Sequence, residues 1–495
     1  MKADIVFGLS PLLIVAVGAL VLAVTETLHR LGNKRHDSSS ARLIAPIVLF
    51  AAAGAATSVW QYGLENLPGV AWLAPYILID RFGLLVFVIL ALAGALCSLL
   101  AGGYLPEHGH NCTTFYPLLL LSTASAMLLT AASDMRTMLT GLVAVPVCVQ
   151  GLSRFRRTAR AVTVARNAAV SGACAAALLA IGGLLLYQAT GRTDMSGIAS
   201  RLTEGNARPE LVVVALVLIV VGLAYRASAA PFHLWTPETL DTAPMPVTAY
   251  VTVVVRTSAI AMMWRVLPVA FSDTNSTSWG TGWPPVVATL AIVSMTVGNL
   301  VALRQESIKR MLVYGSIAHV GYLLIAVTVA SKSQVEAETS IVYCLLAYAV
   351  STVGAFGVLA LCGSRGSELV RYSDLAGLGR RAPVLAFVFS IFLLSLAGLP
   401  PLAGFFARVS LFLVAIGNGY MVLSAFGLLN SVIGAYYSLR VIACMYGKEA
   451  ETRGGRTMRS RYVAAAVMAA AVITVLLGAF PGRVFDVAHL ATNTP

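Results

Sequence analysis

The sequence predicts an all-α polytopic membrane protein with about fourteen transmembrane helices. Of its 495 residues, 58% are hydrophobic and only 11% are charged, and the mean hydropathy is +0.84. Soluble domains carry about 25% charged residues, so a soluble fold is excluded. Apolar stretches of roughly 20 residues, the length that crosses a bilayer as an α-helix, recur along the whole chain.

Each predicted span is an apolar run between polar or charged residues. In order, the runs lie near 5–28, 42–61, 79–103, 117–133, 136–152, 164–188, 210–228, 246–266, 284–303, 310–330, 339–362, 383–398, 404–446 (divided near Gly417-Asn418-Gly419) and 462–480. The loops between them are short, which predicts a single transmembrane domain over 1–495. The first run is long for a signal-peptide core and lacks a convincing cleavage site after it, so we expect a membrane helix there.

Lysine and arginine are distributed unevenly between the two sides of the predicted membrane. The formal net charge of +13 would by itself suit a nucleic-acid-binding protein. However, loops after odd-numbered spans carry 21 of the 34 basic residues, the opposite loops carry 8, and 5 lie within or beside spans. This is the positive-inside pattern. It predicts that both termini face outward and that nucleic acid is not a partner.

The sequence contains no motif for a bound cofactor or metal. Its seven cysteines form no Cys-x-x-Cys pair and lie mostly inside apolar spans, so neither a zinc site nor an iron–sulfur cluster is predicted. The glycine motifs for dinucleotide and ATP binding are absent, and no Ser-His-Asp or paired-carboxylate arrangement stands out. We therefore expect no cofactor in this chain. The cysteines are Cys97, Cys112, Cys148, Cys174, Cys344, Cys362 and Cys444.

The segment from Arg226 to Arg256 combines buried charge with an interrupted helix. Arg226 stands near the end of one apolar span and Arg256 near the middle of the next, with Pro231 and Pro244-Met245-Pro246 between them. A charge at bilayer depth costs at least about 2.5–3.5 kcal/mol, so such residues are usually functional. Interrupted helices beside buried charge are how transporters form ion sites near the membrane midplane. This segment is therefore the first candidate site.

These arginines also have structural interpretations that require no transport. Arg226 and, with more difficulty, Arg256 could extend along the span until the guanidinium reaches the interface. Arg408 follows a second interruption at Pro400-Pro401. It could bond carbonyls that the prolines leave free. The sequence alone leaves these alternatives open.

Three segments of the chain carry a specific resemblance to a known family. The first is Ala230-Pro-Phe-His-Leu-Trp-Thr-Pro237, continued by Ala243-Pro-Met-Pro-Val-Thr-Ala249. The second is Gly298-Asn-Leu-Val-Ala-Leu-Arg-Gln305 with Lys309-Arg-Met-Leu-Val-Tyr-Gly-Ser-Ile-Ala-His319, and the third is Ser395-Leu-Ala-Gly-Leu-Pro-Pro-Leu-Ala-Gly-Phe-Phe-Ala-Arg408. Together they resemble the antiporter-like membrane subunits of bacterial NADH:quinone oxidoreductase (complex I), and subunit N among them. The resemblance covers roughly residues 40–450.

The resemblance implies a more detailed fold. It implies two inverted five-helix repeats, helices 4–8 over 117–267 and helices 9–13 over 284–446, with breaks in the seventh and twelfth helices. Helices 1–3 would then occupy 1–116, and helix 14 would lie in 461–495. The prolines at 231 and 400–401 agree, because they interrupt spans at comparable places in the two halves.

The resemblance also implies a polar axis at mid-membrane, along which the family carries protons. The family's glutamate position falls at Val143, and its three lysine positions fall at Arg226, Arg256 and Arg408. A buried lysine can lose its proton because desolvation lowers its pKa, whereas arginine stays protonated. A row of fixed cations without an acid is a poor proton relay, although it could still orient water or bind anions.

Histidine is the other residue type that could carry protons along this axis. The unperturbed pKa of histidine, near 6.5, suits exchange at neutral pH, so a rebuilt relay could use His233 and His319. Both could equally be helix-end or core residues bonded to backbone. In either case the carboxylate of the family's axis would be missing.

These observations lead to one functional prediction and two alternatives. The chain is predicted to be a membrane-arm subunit of a complex I-like NADH:quinone oxidoreductase in a bacterial plasma membrane, with a degenerate proton relay. Its expected partners are the other membrane-arm subunits, the bilayer and, through the complex, the quinone pool. NADH, FMN, iron–sulfur clusters and quinone are expected in other subunits. The alternatives are a cation/proton antiporter subunit and a structural subunit that does not pump.

Overall fold

The described part of the chain is almost entirely helical, as the composition predicts. A computed structural model of the protein describes residues 2–31, 39–109, 114–153, 159–205, 207–271, 282–363, 371–447, 458 and 460–492. The α-helices within these ranges are α1 (Lys2–Gly8), α2 (Ser10–Leu31), α3 (Ser39–Tyr62), α4 (Arg81–Glu107), α5 (Phe115–Ala131), α6 (Met135–Ser153), α7 (Ala159–Thr190), α8 (Met195–Thr203), α9 (Pro209–Ala227), α10 (Trp235–Thr242), α11 (Met245–Tyr250), α12 (Arg256–Arg265), α13 (Trp283–Leu303), α14 (Ile308–Val329), α15 (Gln334–Cys362), α16 (Tyr372–Leu375), α17 (Leu378–Arg381), α18 (Pro383–Ala397), α19 (Ala403–Gly417), α20 (Met421–Gly447), α21 (Arg461–Ala479) and α22 (Pro481–Thr492).

These helices account for about fourteen membrane crossings, as the sequence predicts. Twelve segments of the described ranges are long and apolar enough to cross a bilayer, and the 17-residue α5 adds another crossing. Helices α18 and α19 have 15 residues each. Each is about 22 Å long, shorter than the roughly 30 Å hydrocarbon core, so the two form one broken crossing. The sequence-based division that made 404–417 a span of its own is therefore wrong.

The eighth crossing is the segment Met245–Ala270, and it is an irregular helix enclosed by protein. Two π-helical turns interrupt it, at Val251–Val255 before α12 and at Val266–Ala270 after it. Most of its side chains are buried, including every residue of α12. Single π-helical turns of this kind occur often at functional sites. The irregularity places Arg256 at the first position after a π turn.

The seventh crossing breaks after α9. Ser228 has a φ of 63°, the left-handed conformation that commonly ends a helix. The Ala229 N–H donates to the Ala224 carbonyl (2.8 Å), and the Ser228 N–H donates to the Tyr225 carbonyl (3.1 Å). The chain then turns through Pro231 before α10 begins. These bonds satisfy two of the four carbonyls that every helix end leaves unpaired.

The twelfth crossing breaks after α18 in the same way. Gly398 has a φ of 75° and closes the helix end. The Leu399 N–H donates to the Leu394 carbonyl, and the Gly398 N–H donates to the Ser395 carbonyl, both at 3.0 Å. The two breaks thus share one hydrogen-bond pattern, and a proline stands three residues after each left-handed residue. This match supports the pairing of the seventh and twelfth helices, whereas the domain boundaries stay predictions.

Some sequence-based expectations concern residues outside the described ranges. Residues 154–158, 448–457 and 459 of the loops predicted to face inward lie outside them, and so does Cys112. The charged segment 365–381, which the sequence predicts either to contact a neighbouring subunit or to be a solvated loop, is described only from Arg371 onward. The structure does not bear on the residues outside these ranges.

The second break depends on a glycine at the start of α19. A Cβ on Gly404 would collide with the Ser395 carbonyl oxygen and would lie 2.7 Å from the carbonyl carbon. The Gly404 N–H also donates to the Ser395 hydroxyl (3.2 Å). The two half-helices therefore approach each other more closely than any residue with a side chain would allow, as small residues permit between membrane helices.

We predict that Gly404→Ala destabilises the protein by about 1–3 kcal/mol or more, because the added methyl group overlaps backbone that cannot move aside. Gly417→Ala is the control, since a Cβ there meets no atom within 4 Å. Thermal unfolding of the two purified variants measures the difference. Equal stability of both variants would show that the break does not need this close approach.

Candidate functional site: buried cations at the helix breaks

Arg226 stands at the end of α9 and points into the protein rather than toward a loop. It is 5% exposed, and its Nη2 donates to the Leu142 carbonyl at 3.2 Å. Leu142 lies in α6, four residues before Pro146. Proline has no N–H, so it cannot make the helical bond to the carbonyl four residues earlier. Arg226 therefore supplies the hydrogen bond that Pro146 leaves out.

A small cavity of about 30 Å³ lies beside Arg226. Its walls include Gln150 of α6, Tyr225 of α9, Trp235 of α10 and, on the far side, Val251 and Val255 of the first π turn. About 10–15 Å³ is enough for one water molecule. The site thus has room for one or two waters between Arg226 and the turn that precedes α12.

Val143, the position of the family's glutamate, faces away from this site. Its side chain is 51% exposed on the outer surface of α6, while the carbonyl of the preceding residue, Leu142, faces Arg226. A carboxylate at this position would therefore extend from the outer surface of α6, whereas the partner of Arg226 in α6 is a backbone carbonyl.

Arg408, in α19, binds the end of the preceding half-helix. Its Nη1 donates to the Ala397 carbonyl (2.6 Å), its Nη2 donates to the Leu396 carbonyl, and its guanidinium lies 4.6 Å from the centre of the Tyr322 ring. These are the last two carbonyls of α18, at the negative end of the helix dipole. The structure thus places Arg408 on carbonyls that the proline break leaves free.

His319, in α14, shares the Leu396 carbonyl with Arg408. Its Nε2 lies 3.3 Å from that oxygen, and its ring packs 4.7 Å from the ring of Tyr348. A carbonyl can only accept, so Nε2 carries the hydrogen and Nδ1 of the neutral ring is an acceptor. Nδ1 is buried and has no hydrogen-bond partner among the described residues.

Arg256 is the most enclosed of the three arginines, with 2% of its surface exposed. Its Nη1 donates to the Ser316 hydroxyl, and the Tyr348 phenol also interacts with its guanidinium. Its Nη2 makes no hydrogen bond to the described residues. Unlike Arg226 and Arg408, it binds no freed carbonyl.

The structure brings Arg256, His319 and Arg408 into one buried network. Ser316 and Tyr348 connect Arg256 to His319, whose ring shares a carbonyl with Arg408. A cavity of about 20 Å³, enough for one water, lies against Ser316, His319 and Tyr348. No aspartate or glutamate forms an ion pair with these arginines in the part of the chain that the structure describes.

His233 lies apart from the bonded network, in the turn between α9 and α10. It is 8% exposed, its ring centre is 6.5 Å from that of Tyr314, and its Nδ1 has no partner among the described residues. Its carbonyl accepts from the Thr236 N–H (2.9 Å) and so helps to start α10. Arg256 is the charged group that acts on its ring.

Sequence reasoning placed Lys309 in a loop, and this was wrong. Lys309 is 1% exposed, and its Nζ donates to the carbonyls of Asp241 (3.1 Å) and Ala243 (2.6 Å). These carbonyls lie at the C-terminal end of α10. The basic residues beside Lys309 in the sequence gave no signal that this one alone turns inward.

Arg265, at the end of the predicted span 246–266, was counted with the loop charges, and it too is buried, at 5% exposure. It forms a two-point ion pair with Asp80, with Nη2–Oδ1 at 2.5 Å and Nη1–Oδ2 at 3.1 Å, and its Nε donates to the Thr130 carbonyl near the end of α5. Asp80 also caps α4 by accepting from the Gly83 N–H (2.8 Å). The position of Arg265, one residue before the end of the predicted span 246–266, offered no hint of a partner 185 residues away.

We predict that the hydrogen bond between Arg226 and Leu142 depends on Pro146. Arg226→Met should cost about 1–3 kcal/mol in the native background, because it leaves a buried carbonyl unpaired. In a Pro146→Ala background the restored N–H takes over that carbonyl, so the cost of Arg226→Met should fall by about 1 kcal/mol. Unfolding of the four proteins of this double-mutant cycle measures the coupling.

Arg440→Met, tested with and without Pro146→Ala, is the matched control for that cycle. Arg440 lies in α20, with its guanidinium 4.8 Å from the centre of the Tyr372 ring in α16. It is far from α6 in the sequence. Its effect should be additive with that of Pro146→Ala. If the free-energy costs of Arg226→Met and Pro146→Ala also add, within about 0.3–0.5 kcal/mol, then Arg226 does not replace the helical hydrogen bond that Pro146 cannot make.

Comparison with known proteins agrees with this architecture. Residues 132–434 match the family model described as NADH:quinone oxidoreductase/Mrp antiporter, TM. A chain of respiratory complex I from Thermus thermophilus is 28% identical, with a TM-score of 0.79 over 97% of this chain and 99% of that chain. A chain of the Mrp complex from Dietzia sp. is 20% identical and shares the fold, with a TM-score of 0.79 over 99% and 97% of the two chains.

Two curated relatives carry the same name. NADH-quinone oxidoreductase subunit N 1 of Sorangium cellulosum is 46% identical over 96% of each chain. NADH-quinone oxidoreductase subunit N of Trichlorobacter lovleyi is 34% identical over 84% of each chain. Their identities of 46% and 34% exceed the 20% of the Mrp chain, which shares the fold. The chain therefore belongs to the NADH:quinone oxidoreductase/Mrp antiporter family and, within it, to the subunit N group.

Proposed function

We propose that this chain is a membrane-arm subunit of NADH:quinone oxidoreductase and so one component of a translocase. The observation that carries the proposal is its 46% identity, over nearly its whole length, to a subunit N. The fold match to a chain of complex I supports it. An antiporter subunit of the Mrp type is not favoured, because that likeness extends to the fold at only 20% identity.

The chain would act without a redox centre of its own. Its sequence carries no dinucleotide, ATP or cluster-binding motif, so NADH, FMN, iron–sulfur clusters and quinone would bind in other subunits. Its direct partners would be the other membrane-arm subunits. It would lie in a bacterial plasma membrane with both termini on the outer side, as the distribution of basic residues indicates.

We also propose that this subunit conducts protons poorly or not at all. Arg226 and Arg408 each bond to a backbone carbonyl that a proline-containing segment leaves free, so both have a structural partner. Arginine does not give up its proton in proteins, and Val143, at the position where a glutamate is expected, carries no carboxylate. The fixed positive charge would still orient water in the two small cavities.

Arg256 and His319 offer the strongest test of the proposal that this subunit does not conduct protons. Among the described residues, the Arg256 Nη2 has no hydrogen-bond partner, and the His319 Nδ1 is an acceptor beside a cavity with room for water. A relay rebuilt around histidine would use His319 together with His233. This is the arrangement in the described residues that most resembles a proton path.

We predict that Arg256→Ala, Arg408→Ala and His319→Ala leave the number of protons taken up per NADH unchanged. Sealed vesicles that contain the assembled complex provide the measurement, and subunit content is checked by gel. Arg440→Ala, a cation at the rim of α20, controls for loss of charge alone. A lower proton ratio in any of the first three variants, with normal assembly and normal NADH oxidation, would mean that the subunit pumps.

We predict that Lys332 faces outward and Arg380 inward. Both side chains are exposed, one beyond the end of α14 and the other in α17. In a cysteine-free background, a membrane-impermeant maleimide added to intact cells should label Lys332→Cys and reach Arg380→Cys only after the membrane is opened. Labelling of Arg380→Cys in intact cells would contradict the proposed topology.

A further inference from the structure

An open groove runs between the first turns of α18 and α21, and no part of the proposed mechanism uses it. Its volume is about 620 Å³. The walls are largely apolar side chains from the two helices and from the end of α15. They are Leu361, Ala382, Pro383, Val384, Leu385 and Val388 on one side, and Met458, Ala464, Val467 and Met468 on the other.

The mouth of the groove is polar and positively charged. Ser460 and Arg461 line it at the start of α21, where Ser460 caps the helix by accepting from the Val463 N–H (3.5 Å). Arg461 forms no ion pair with the described residues. The exposed Arg381 directly precedes the lining residue Ala382, and its Nη2 donates to the Ala376 carbonyl (2.8 Å).

The depth of the groove matches half a bilayer rather than a whole one. Its lining stops at Val388 in α18 and at Met468 in α21, seven residues beyond Arg461. Seven residues of helix are about 10 Å long, against a hydrocarbon core of about 30 Å. A transmembrane helix of a partner would need contact along the full length of α18 and α21, whereas a lipid of one leaflet needs only this depth.

We propose that this groove binds an anionic phospholipid, with its phosphate at Arg461 and one acyl chain along the apolar walls. The charge at the mouth complements a phosphate, and basic pockets between membrane helices on the inner side characteristically bind anionic headgroups. Both helices begin at the membrane side that carries the excess of basic residues. The lipid therefore belongs to the inner leaflet. The choice of leaflet rests on the topology proposed above, whereas the site itself does not depend on the proposed role in the complex.

The walls of the groove are held in place by tight packing behind them. A Cβ on Gly103 of α4 would collide with the Ser460 hydroxyl and lie 2.7 Å from Val463. The Met458 N–H donates to the Leu361 carbonyl (2.8 Å), which fixes the chain before α21 to the end of α15. The groove is thus preformed, and binding a lipid requires no rearrangement of these two walls.

Photoreactive phosphatidylglycerol, added to membranes that contain the assembled complex, tests the site. We expect labelled peptides from 383–388 and 461–468. Arg461→Gln should weaken labelling on the order of fivefold, the effect of removing one cation near an anionic headgroup. Arg461→Lys should keep most of it, and Val384→Trp should abolish it by filling the groove, since Val384 is 68% exposed on its wall.

Arg160→Gln is the matched control, because Arg160 is exposed at the start of α7 on the same predicted membrane side. It should leave labelling unchanged. Equal labelling by photoreactive phosphatidylcholine, or no loss with Arg461→Gln, would overturn the proposal. Cross-linking of Val384 to another subunit in place of lipid would overturn it as well and would assign the groove to a protein partner.

Discussion

Backbone carbonyls inside a membrane need hydrogen-bond donors, and at four places in the described residues this chain supplies them with a buried cation. Without water in the hydrocarbon core, an unpaired carbonyl costs several kcal/mol. Arg226 binds the carbonyl that Pro146 leaves free, and Arg408 binds the last two carbonyls of α18. Lys309 does the same at the end of α10, and Arg265 at the end of α5. The broken helices persist because these partners are present.

The same constraint supports the proposal that the arginines at the family's predicted lysine positions hold backbone carbonyls rather than relay protons. Lysine at the family's positions would serve as a donor and could also release a proton. Arginine offers more donors in a fixed planar geometry, which suits carbonyl binding, but holds its proton. Arg256 differs from the other two, because its partner is the Ser316 hydroxyl and one of its nitrogens is unpaired among the described residues. Among the described residues, Arg256 is therefore the arginine of the three whose position is not accounted for by a bond to a backbone carbonyl.

The two halves of the molecule use one helix break with differently placed cations. The hydrogen bonds that close α9 and α18 are the same, and the left-handed residues Ser228 and Gly398 correspond. Arg226, however, precedes its break, whereas Arg408 follows its own by ten residues. The first reaches across to α6 and the second folds back onto α18. A repeated backbone can therefore build two unlike polar sites.

The sequence determined the class of the fold, the number of crossings and the two breaks, because hydropathy, proline and the positive-inside pattern are local properties of the chain. It also pointed to Arg226, Arg256 and Arg408 and offered the carbonyl interpretation of Arg408 as one alternative. Only the tertiary structure decided what each cation binds. The partner of Arg226 lies 84 residues away, and that of Arg265 lies 185 residues away. Lys309 and Arg265 looked like loop charges, since nothing in local sequence reports which side chain turns toward a distant helix end.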